Sequence, residues 1–350
     1  MKNLPDMKTT MDIGERLPPV SPFELKSWNQ TFGTDYYGAL QVAAEYCGLS
    51  KVPPRLPGNW QHGTWPPWQK IQAEVIVYNA PKAPPCFVAR PDEAEFLRQG
   101  GYRRAEAIGL PIIYTQPSGL SRIPNSLLVM PTHSLASDVL TPPTEQYVRE
   151  IASIKDRFSV VAACVSAYCI ERGLWVSEFK EQGIQSIRGA GIGDVNALKR
   201  MRALFETFEY VTTDSHGSHV YYAMYFGAKV SIWGTAVPVL RENVLSDAAW
   251  TPYPEAVEIL LSEETDRAGE VYLAPLRVAP WVGVLDVDVS KRMLGDDCKL
   301  SPEAMRKAFG WTPLNISAAS FVDWSRRSRL WKAGSAAKRR LRKLTKGSTH

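Results

Sequence analysis

The clearest pattern in the chain is a regular exchange of short apolar runs and helix-like segments between residues 126 and 234. The apolar runs are rich in β-branched residues and are bounded by turn residues, as strands are. Segment 171–183 is amphipathic and stops at a glycine, and Asp194 is placed to cap the next helix. Strands that alternate with helices predict βαβ units and a doubly wound, Rossmann-like parallel sheet. The five predicted strands are 126–131, 159–166, 184–189, 210–214 and 229–234.

A weaker alternation of the same kind precedes residue 115. It predicts strands at 73–79, 86–90 and 105–114 and a helix at 92–101. The polar stretch at 115–125 is expected to divide two α/β domains. The predicted divisions are a Rossmann-like domain at 1–120, a second Rossmann-like domain at 121–300, and terminal helices with a basic tail at 301–350.

Charge is unevenly distributed along the 350 residues. Ten of the 41 basic residues fall within 326–346, where there is no acid, which leaves 31 basic against 36 acidic residues elsewhere. A slightly acidic body argues against a nucleic-acid partner. The basic segment 326–346 has an apolar helical face and is expected to dock on anionic lipid; the alternatives are a solvated tail or one that touches nucleic acid.

Cysteine usage and hydropathy bear on location and metal binding. The five cysteines are scattered without a CxxC pair, which fits a reducing cytosol and gives no zinc pattern. No signal peptide is expected, and the longest apolar run is too short to span a membrane. These features predict a cytoplasmic protein, with peripheral attachment to the inner face of the plasma membrane left open.

The loops after the strands of the second half carry the candidate binding chemistry, because ligands of open parallel sheets bind beyond the carboxyl ends of the strands. The segment 214–219, Asp-Ser-His-Gly-Ser-His, joins a predicted strand to a helix N-terminus, where free amides and the helix dipole favour an anion. The alternative is that Ser218 simply caps the helix. The predicted donor and phosphate contacts are His133, Ser134, Gly189, Ser215, Gly217, Ser218 and His219.

The first half offers a candidate base and aromatic faces in an unusual loop. His62 lies among Trp, Gly and Pro residues, and a histidine whose pKa is near neutrality can accept a proton from a hydroxyl. Trp60 and Trp65 could stack on sugar faces, although a packed aromatic loop is an equally ordinary explanation. Asp92 is a second choice of base, since it also suits its own helix N-terminus.

Metal and cofactor signals are weak. Asp286 and Asp288 are predicted to lie on the solvent face of a strand at 285–290, so they do not make a metal–nucleotide motif. The run GAGIGD at 189–194 is not GxGxxG, which disfavours a dinucleotide. We therefore predict neither a metal nor a cofactor.

The order of four motifs resembles a family of transferases. QHGT (61–64), AIGLP (107–111), LLVMPTHS (127–134) and VTTDSHGSHVYYAMYFGAKVSIWG (211–234) occur in the order found in GT-B-fold transferases of bacterial surface polysaccharides. CDP-glycerol glycerophosphotransferases and capsule Kdo or sialyltransferase-like enzymes show a similar order. The arginine of the family's G-x-P-R motif is absent, since Ile112 follows Pro111.

The resemblance implies a GT-B-like fold, with two Rossmann-like domains facing a cleft. It implies a nucleotide-sugar donor, a glycan or lipid-linked acceptor, a general base at His62, and donor phosphate contacts at His133, Ser215 and Ser218, with His219 beside them. Two alternatives stay open: a non-catalytic, degenerate transferase that binds sugar or scaffolds partners, and a nucleotide-sugar epimerase or oxidoreductase.

Overall fold

Eight strands form two parallel sheets in the computed structural model, which describes residues 13–23, 33–53, 58–67, 72–77, 80–132, 145–238, 240–246 and 250–312. One sheet has three strands in the order β1-β2-β3, and the other has five in the order β6-β5-β4-β7-β8. The strands are β1 (Asn59–Trp60), β2 (Cys86–Val88), β3 (Ala105–Ala107), β4 (Ile123–Met130), β5 (Val160–Val165), β6 (Gln185–Arg188), β7 (Phe208–Thr213) and β8 (Lys229–Ile232).

Helices connect the strands and extend the fold at its C-terminal side. They are α1 (Ala39–Tyr46), α2 (Ala73–Ile76), α3 (Pro91–Gln99), α4 (Glu145–Ile154), α5 (Ala167–Glu171), α6 (Val176–Glu181), α7 (Ala197–Thr207), α8 (Ser218–Tyr225), α9 (Arg241–Leu245), α10 (Pro254–Leu260), α11 (Glu263–Leu273), α12 (Val287–Leu294) and α13 (Pro302–Ala308).

The five-stranded sheet confirms the prediction of an α/β protein with a parallel, Rossmann-like sheet. All its pairings are parallel. Strand β4 lies at the centre, and the chain winds first toward β6 and then back toward β8. This reversal puts a topological switch point between the carboxyl ends of β4 and β7, where a crevice for ligands is expected.

The three-stranded sheet differs from its sequence-based prediction. Segment 73–79 was expected to be a strand, but Ala73–Ile76 is a short helix whose apolar residues pack with Ala94 and Leu97 of α3. The β-branched composition favours a strand only where a neighbouring strand is available, so packing decides here. The predicted strand 105–114 ends at Ala107, because Gly109 takes a φ of +78° and a 3-10 helix follows at Pro111–Tyr114.

Another correction concerns Asp286 and Asp288, which were expected in a strand. They lie instead at the start of helix α12, where the Asp286 carboxylate accepts a hydrogen bond of 2.9 Å from the Val289 amide and caps the helix. A cap is a common use of aspartate at this position.

One hydrophobic cluster runs through both sheets. It contains Trp60 and Phe87 from the small sheet and Leu128 and Val211 from the large one. Phe309, just after α13, packs its ring against Trp60 at 5.3 Å and against Phe87 at 5.1 Å. The predicted terminal helix near residue 302 is thus present and closes the core of the small sheet.

Three further predictions concern the basic segment, membrane-spanning helices and the domain boundaries. The basic segment 326–346 lies outside the described residues. Among the helices that the structure describes, none combines the length and the apolar character that crossing a membrane requires. The domain boundaries at 120 and 300 stay predictions.

The shared cluster predicts that the two sheets unfold together. Trp60→Ala should lower the free energy of unfolding by about 3–5 kcal/mol, because a fully buried indole leaves a cavity. Hydrogen exchange of backbone amides should then lose protection in β7 as well as in β2. Trp65→Ala, at a partly exposed site in the same loop, is the matched control and should cost much less. Loss of protection confined to β2 would show instead that the sheets are independent units.

Candidate functional site

The loop after β1 and the helix after β7 meet at the junction of the two sheets. In the QHGT loop (residues 61–64), the Thr64 amide donates a hydrogen bond of 2.9 Å to the Ser218 hydroxyl at the start of α8. Tyr222, one turn further along α8, donates a bond of 2.7 Å to the His62 carbonyl. Gly63 allows this approach, since a Cβ there would lie 2.8 Å from Ser218 Oγ. Two motifs far apart in sequence therefore form one site.

The first sheet holds the QHGT loop through buried polar groups. The side-chain oxygen of Gln61 accepts a bond of 3.0 Å from the Ala89 amide, and its amide nitrogen donates to Glu93 at 3.3 Å. Glu93 also pairs with Arg90 at 3.1 Å. Arg90 donates in turn to the Trp65 carbonyl at 3.3 Å. Both ends of the loop are thus anchored to the start of α3.

Sequence reasoning missed Gln61, Arg90 and Glu93, although their spacing carried a signal. The Glu93 carboxylate accepts from the backbone amide of Arg90 at 3.0 Å, three residues earlier, as in a capping box. Burial raises the pKa of Glu93, and the positive charge of Arg90 opposes that rise. A buried acid at this position could have been anticipated from the cap pattern, but its link to the loop could not.

Asp92 lies on the outer side of the same cluster. Its carboxylate receives two bonds from the Arg90 guanidinium, at 3.0 and 3.1 Å, while 63% of the side chain is exposed. Partial burial raises its pKa, but the bonds and charge of Arg90 outweigh that effect and the net shift is downward. Asp92 is thus an ionised partner of Arg90, and its role as a second-choice base stays a prediction.

His62 occupies an aromatic pocket within the loop. Its imidazole lies 5.2 Å from the ring of Tyr36 and 5.3 Å from the ring of Tyr37. Burial lowers the pKa of His62 from 6.5 to about 4. The expected near-neutral pKa is therefore corrected: the imidazole is neutral at pH 7 and can accept a proton, but it is a weaker base than an exposed histidine.

Asp214 follows β7 and connects it by hydrogen bonds to the residues after β4, at the topological switch point. Its carboxylate accepts from the amide of Thr132 at 2.7 Å, from the Thr132 hydroxyl at 2.7 Å and from the amide of Val237 at 3.1 Å. The same Thr132 hydroxyl lies 2.7 Å from the hydroxyl of Ser215. Because the Thr132 hydroxyl donates its hydrogen bond to Asp214, the Ser215 hydroxyl must be the donor in the bond between Ser215 and Thr132. The Ser215 hydroxyl therefore has no proton left to donate to a ligand.

Ser218 is in a different position from Ser215. Its oxygen accepts from both the amide and the hydroxyl of Thr64, at 2.9 and 3.2 Å. A hydroxyl with two acceptor positions filled still has its own proton to donate. The residue before α8 is Gly217, which has no side chain of its own with which to cap the helix. The helix N-terminus therefore keeps a polar face suited to an anion.

Histidines line this loop on both sides of Gly217. His219 lies so close that a Cβ on Gly217 would be 2.8 Å from its Nδ1 atom. His216 Nε2 lies 3.1 Å from the hydroxyl of Tyr221, and burial lowers the pKa of His216 to about 4. Gly217 is thus required for space, since its backbone is extended at a φ of −174°.

The structure separates Trp60 and Gly189 from this site, whereas Trp65 directly follows the QHGT loop. Trp60 is fully buried and donates to the Gly109 carbonyl at 2.8 Å, so its ring offers no face to a sugar and the stacking prediction is corrected. Gly189 directly follows β6, three strand positions and roughly 14 Å from β7, and its amide donates to the Val165 carbonyl, which extends the pairing of β6 with β5. Trp65 is partly exposed and lies 6.1 Å from Trp250.

His133 and Ser134 lie outside the described residues, so their phosphate contacts stay predictions. Within the described residues, no group of three His, Cys, Asp or Glu side chains is arranged to hold a metal ion. No protein-family model matches the chain, and no curated protein sequence matches it either.

Two half-buried histidines, His62 and His216, predict how stability depends on pH. Each has a folded pKa of about 4 against 6.5 when unfolded, so between these values the unfolded chain binds more protons. The free energy of unfolding should therefore fall as pH drops from 6.5 to 4, by at most about 1.4 kcal/mol per pH unit for each histidine. Chemical denaturation at several pH values in this range should show that the free energy of unfolding depends less steeply on pH in His62→Phe and in His216→Phe.

A control for this experiment keeps both imidazoles. Tyr221→Phe removes the hydrogen-bond partner of His216 but leaves the histidine and an aromatic neighbour in place. The change of its free energy of unfolding with pH should stay close to that of the original protein. An unchanged pH dependence in both histidine variants would contradict the assignment of half-buried, neutral imidazoles.

Proposed function

We propose that this protein is a GT-B-like glycosyltransferase that moves a sugar from a nucleotide-activated donor to a glycan or lipid-linked acceptor. The observation that carries the proposal is the contact between the QHGT loop and the N-terminus of α8. It holds the backbone of His62, from the loop of one sheet, against α8 of the other, whose N-terminal amides would bind an anion. A transfer reaction needs a base and an anion-binding site close together.

The donor side of the proposal rests on the start of α8. The amides at 217–219 and the helix dipole would hold the phosphate of the donor. The free proton of Ser218 would add a charge-assisted hydrogen bond, and His219 lies next to it. Ser215 would act by fixing Thr132 and the end of β4, since its own proton is already used.

The acceptor side rests on His62. In the proposed step, the acceptor oxygen forms a bond to the anomeric carbon while the bond from that carbon to the phosphate oxygen breaks. The electron pair leaves on the phosphate, and the proton of the acceptor hydroxyl passes to the neutral imidazole of His62. Negative charge that builds on the phosphate favours the imidazolium, which offsets its low pKa in the resting protein.

Location follows from the same proposal. An enzyme with a lipid-linked acceptor works at a membrane surface, and the ten basic residues of 326–346 would attract it to anionic lipid. The body of the chain would stay on the cytoplasmic side.

A second candidate is a non-catalytic sugar-nucleotide-binding or scaffold protein. Two observations favour it: His62 is a weak base, and the Ser215 hydroxyl is satisfied internally. Such a protein would bind nucleotide at α8 without turning over a donor. Measurements of binding and of turnover therefore separate the two candidates.

The proton assignments predict opposite results for two serines. Ser218→Ala should weaken nucleotide binding by about tenfold or more, because it removes a hydrogen bond to a charged group. Ser215→Ala should leave nucleotide affinity within about twofold. Isothermal titration with CDP, CMP, UDP and GDP compounds measures both. Equal losses in the two variants, or no binding of any nucleotide to the unaltered protein, would contradict the proposed donor site.

Replacement of the proposed base should separate binding from chemistry. His62→Ala is expected to abolish sugar transfer while nucleotide affinity stays unchanged, because the imidazole lies on the acceptor side of the site. Release of nucleotide from a radiolabelled donor in the presence of cell-surface glycan measures transfer. Full turnover by this variant would remove His62 from the mechanism. Nucleotide binding without turnover by the unaltered protein would favour the scaffold.

A further inference from the structure

Tyr37 has an unusual backbone for an aromatic residue. Its φ of +57° and ψ of +18° lie in the left-handed region, which costs free energy for any residue with a Cβ. Of the described residues other than glycine, Asn125 and Trp175 also have positive φ. Asparagine tolerates this conformation, and Trp175 is almost fully buried in the core. Tyr37 is an aromatic residue in this conformation that is only half-buried.

Neighbouring segments hold Tyr37 in this conformation. Its amide donates a bond of 2.9 Å to the Ile192 carbonyl, in the loop after β6. The next residue, Gly38, packs so tightly that a Cβ there would lie 1.9 Å from the Val195 carbonyl oxygen. The chain is therefore fixed on both sides of the Tyr37 side chain. Strain that the surroundings maintain in this way is commonly found at functional sites.

The result of the strained turn is the position of two rings around His62. Tyr36 is buried and meets the imidazole edge-on at 5.2 Å. Tyr37 makes the second ring contact with the imidazole, at 5.3 Å and a tilt of 49°, and the residue as a whole is half-buried. Tyr37 packs against the main hydrophobic cluster, which holds its side chain in place, while part of the residue stays exposed.

We propose that Tyr37 is an acceptor-binding residue, whose ring forms a platform for the apolar C–H face of a pyranose. This inference rests on the proposed function. Aromatic side chains combine a flat apolar face with a polar tip, which suits a ring with C–H groups on one face and hydroxyls around its edge. The Tyr37 ring lies 5.3 Å from the imidazole of His62, so a pyranose stacked on this ring would lie in the neighbourhood of the proposed base. Tyr37 thus takes the stacking role that buried Trp60 cannot perform.

Three variants test this role. Tyr37→Gly removes the ring and fits the left-handed backbone, so relief of the strained φ offsets part of the lost packing and the variant should still fold. Tyr37→Phe keeps the platform and removes only the hydroxyl. Asn125→Gly is the matched control, because it changes another residue with positive φ, 53°, away from this site.

Proton NMR of the imidazole resonances reports sugar binding directly. The chain has five histidines, and the His62→Phe variant identifies the His62 signal. The probes are methyl glucoside, galactoside, mannoside and N-acetylglucosaminide, each titrated to high millimolar concentration. We expect at least one of them to shift the His62 signal in the unaltered protein, in Tyr37→Phe and in Asn125→Gly. In Tyr37→Gly its apparent affinity should fall by about tenfold or more.

Two results would overturn the inference: an equal shift in Tyr37→Gly, or no shift of His62 with any of the four pyranosides. Titration of each variant with the nucleotide panel runs in parallel. Nucleotide affinity should be the same in all of them, since Tyr37 is on the acceptor side. If the unaltered protein binds nucleotide but the shift of the His62 signal by sugar does not depend on Tyr37, this inference alone is rejected. If the unaltered protein binds none of the nucleotides, the proposed function is rejected.

Discussion

Two hydrogen bonds between the QHGT loop and helix α8 determine the geometry of the candidate site. The bond from Thr64 to Ser218 and the bond from Tyr222 to the His62 carbonyl lie one helical turn apart. Together they fix both the distance and the orientation of the loop relative to the helix end. Because α8 follows β7 directly, the carboxyl edge of the large sheet is aligned with the small sheet through these two bonds. These bonds consequently hold the loop backbone at His62 and Thr64 against the start of α8.

A buried charge cluster supports this arrangement from the other side. Arg90 is 7% exposed and connects Asp92, Glu93 and the Trp65 carbonyl. Taking such charges out of water is costly unless every partner is in place, so the cluster specifies one loop conformation more than it stabilises the fold. This clustering explains why a loop with several prolines and glycines can hold a fixed geometry.

The large sheet could be predicted from the sequence, whereas much of the small sheet could not. A continuous apolar run such as 159–166 has one good solution, a parallel strand covered on both faces, and β5 is that strand. Segment 73–79 has the same β-branched composition, but at Ala73–Ile76 it forms a helix that packs against α3. Similarly, Asp286 and Asp288 alternate as in a strand, but helix α12 uses Asp286 as its cap. Local pattern is reliable where the tertiary surroundings agree with it.

The candidate site was predicted in its parts but not in its connections. The loop around Ser218 could be located because ligands bind beyond strand ends, and His62 because of its unusual neighbours. Neither rule shows that the loop around His62 contacts the loop around Ser218. Neither shows that the Ser215 hydroxyl donates its hydrogen bond to Thr132, or that Trp60 is buried in the core. Those facts depend on how two sheets pack, which single-sequence patterns do not encode. The strained backbone of Tyr37 is likewise visible only in three dimensions.

Hydrogen–deuterium exchange with and without nucleotide tests the central claim most directly, because it locates a ligand without assuming which residues bind it. If the two loops form one site, the best-binding nucleotide should slow exchange of the amides at 217–220 and, through the Thr64 bond, also those of 61–65. Protection at 217–220 with no change at 61–65, or protection confined to another edge of the sheet, would contradict the account.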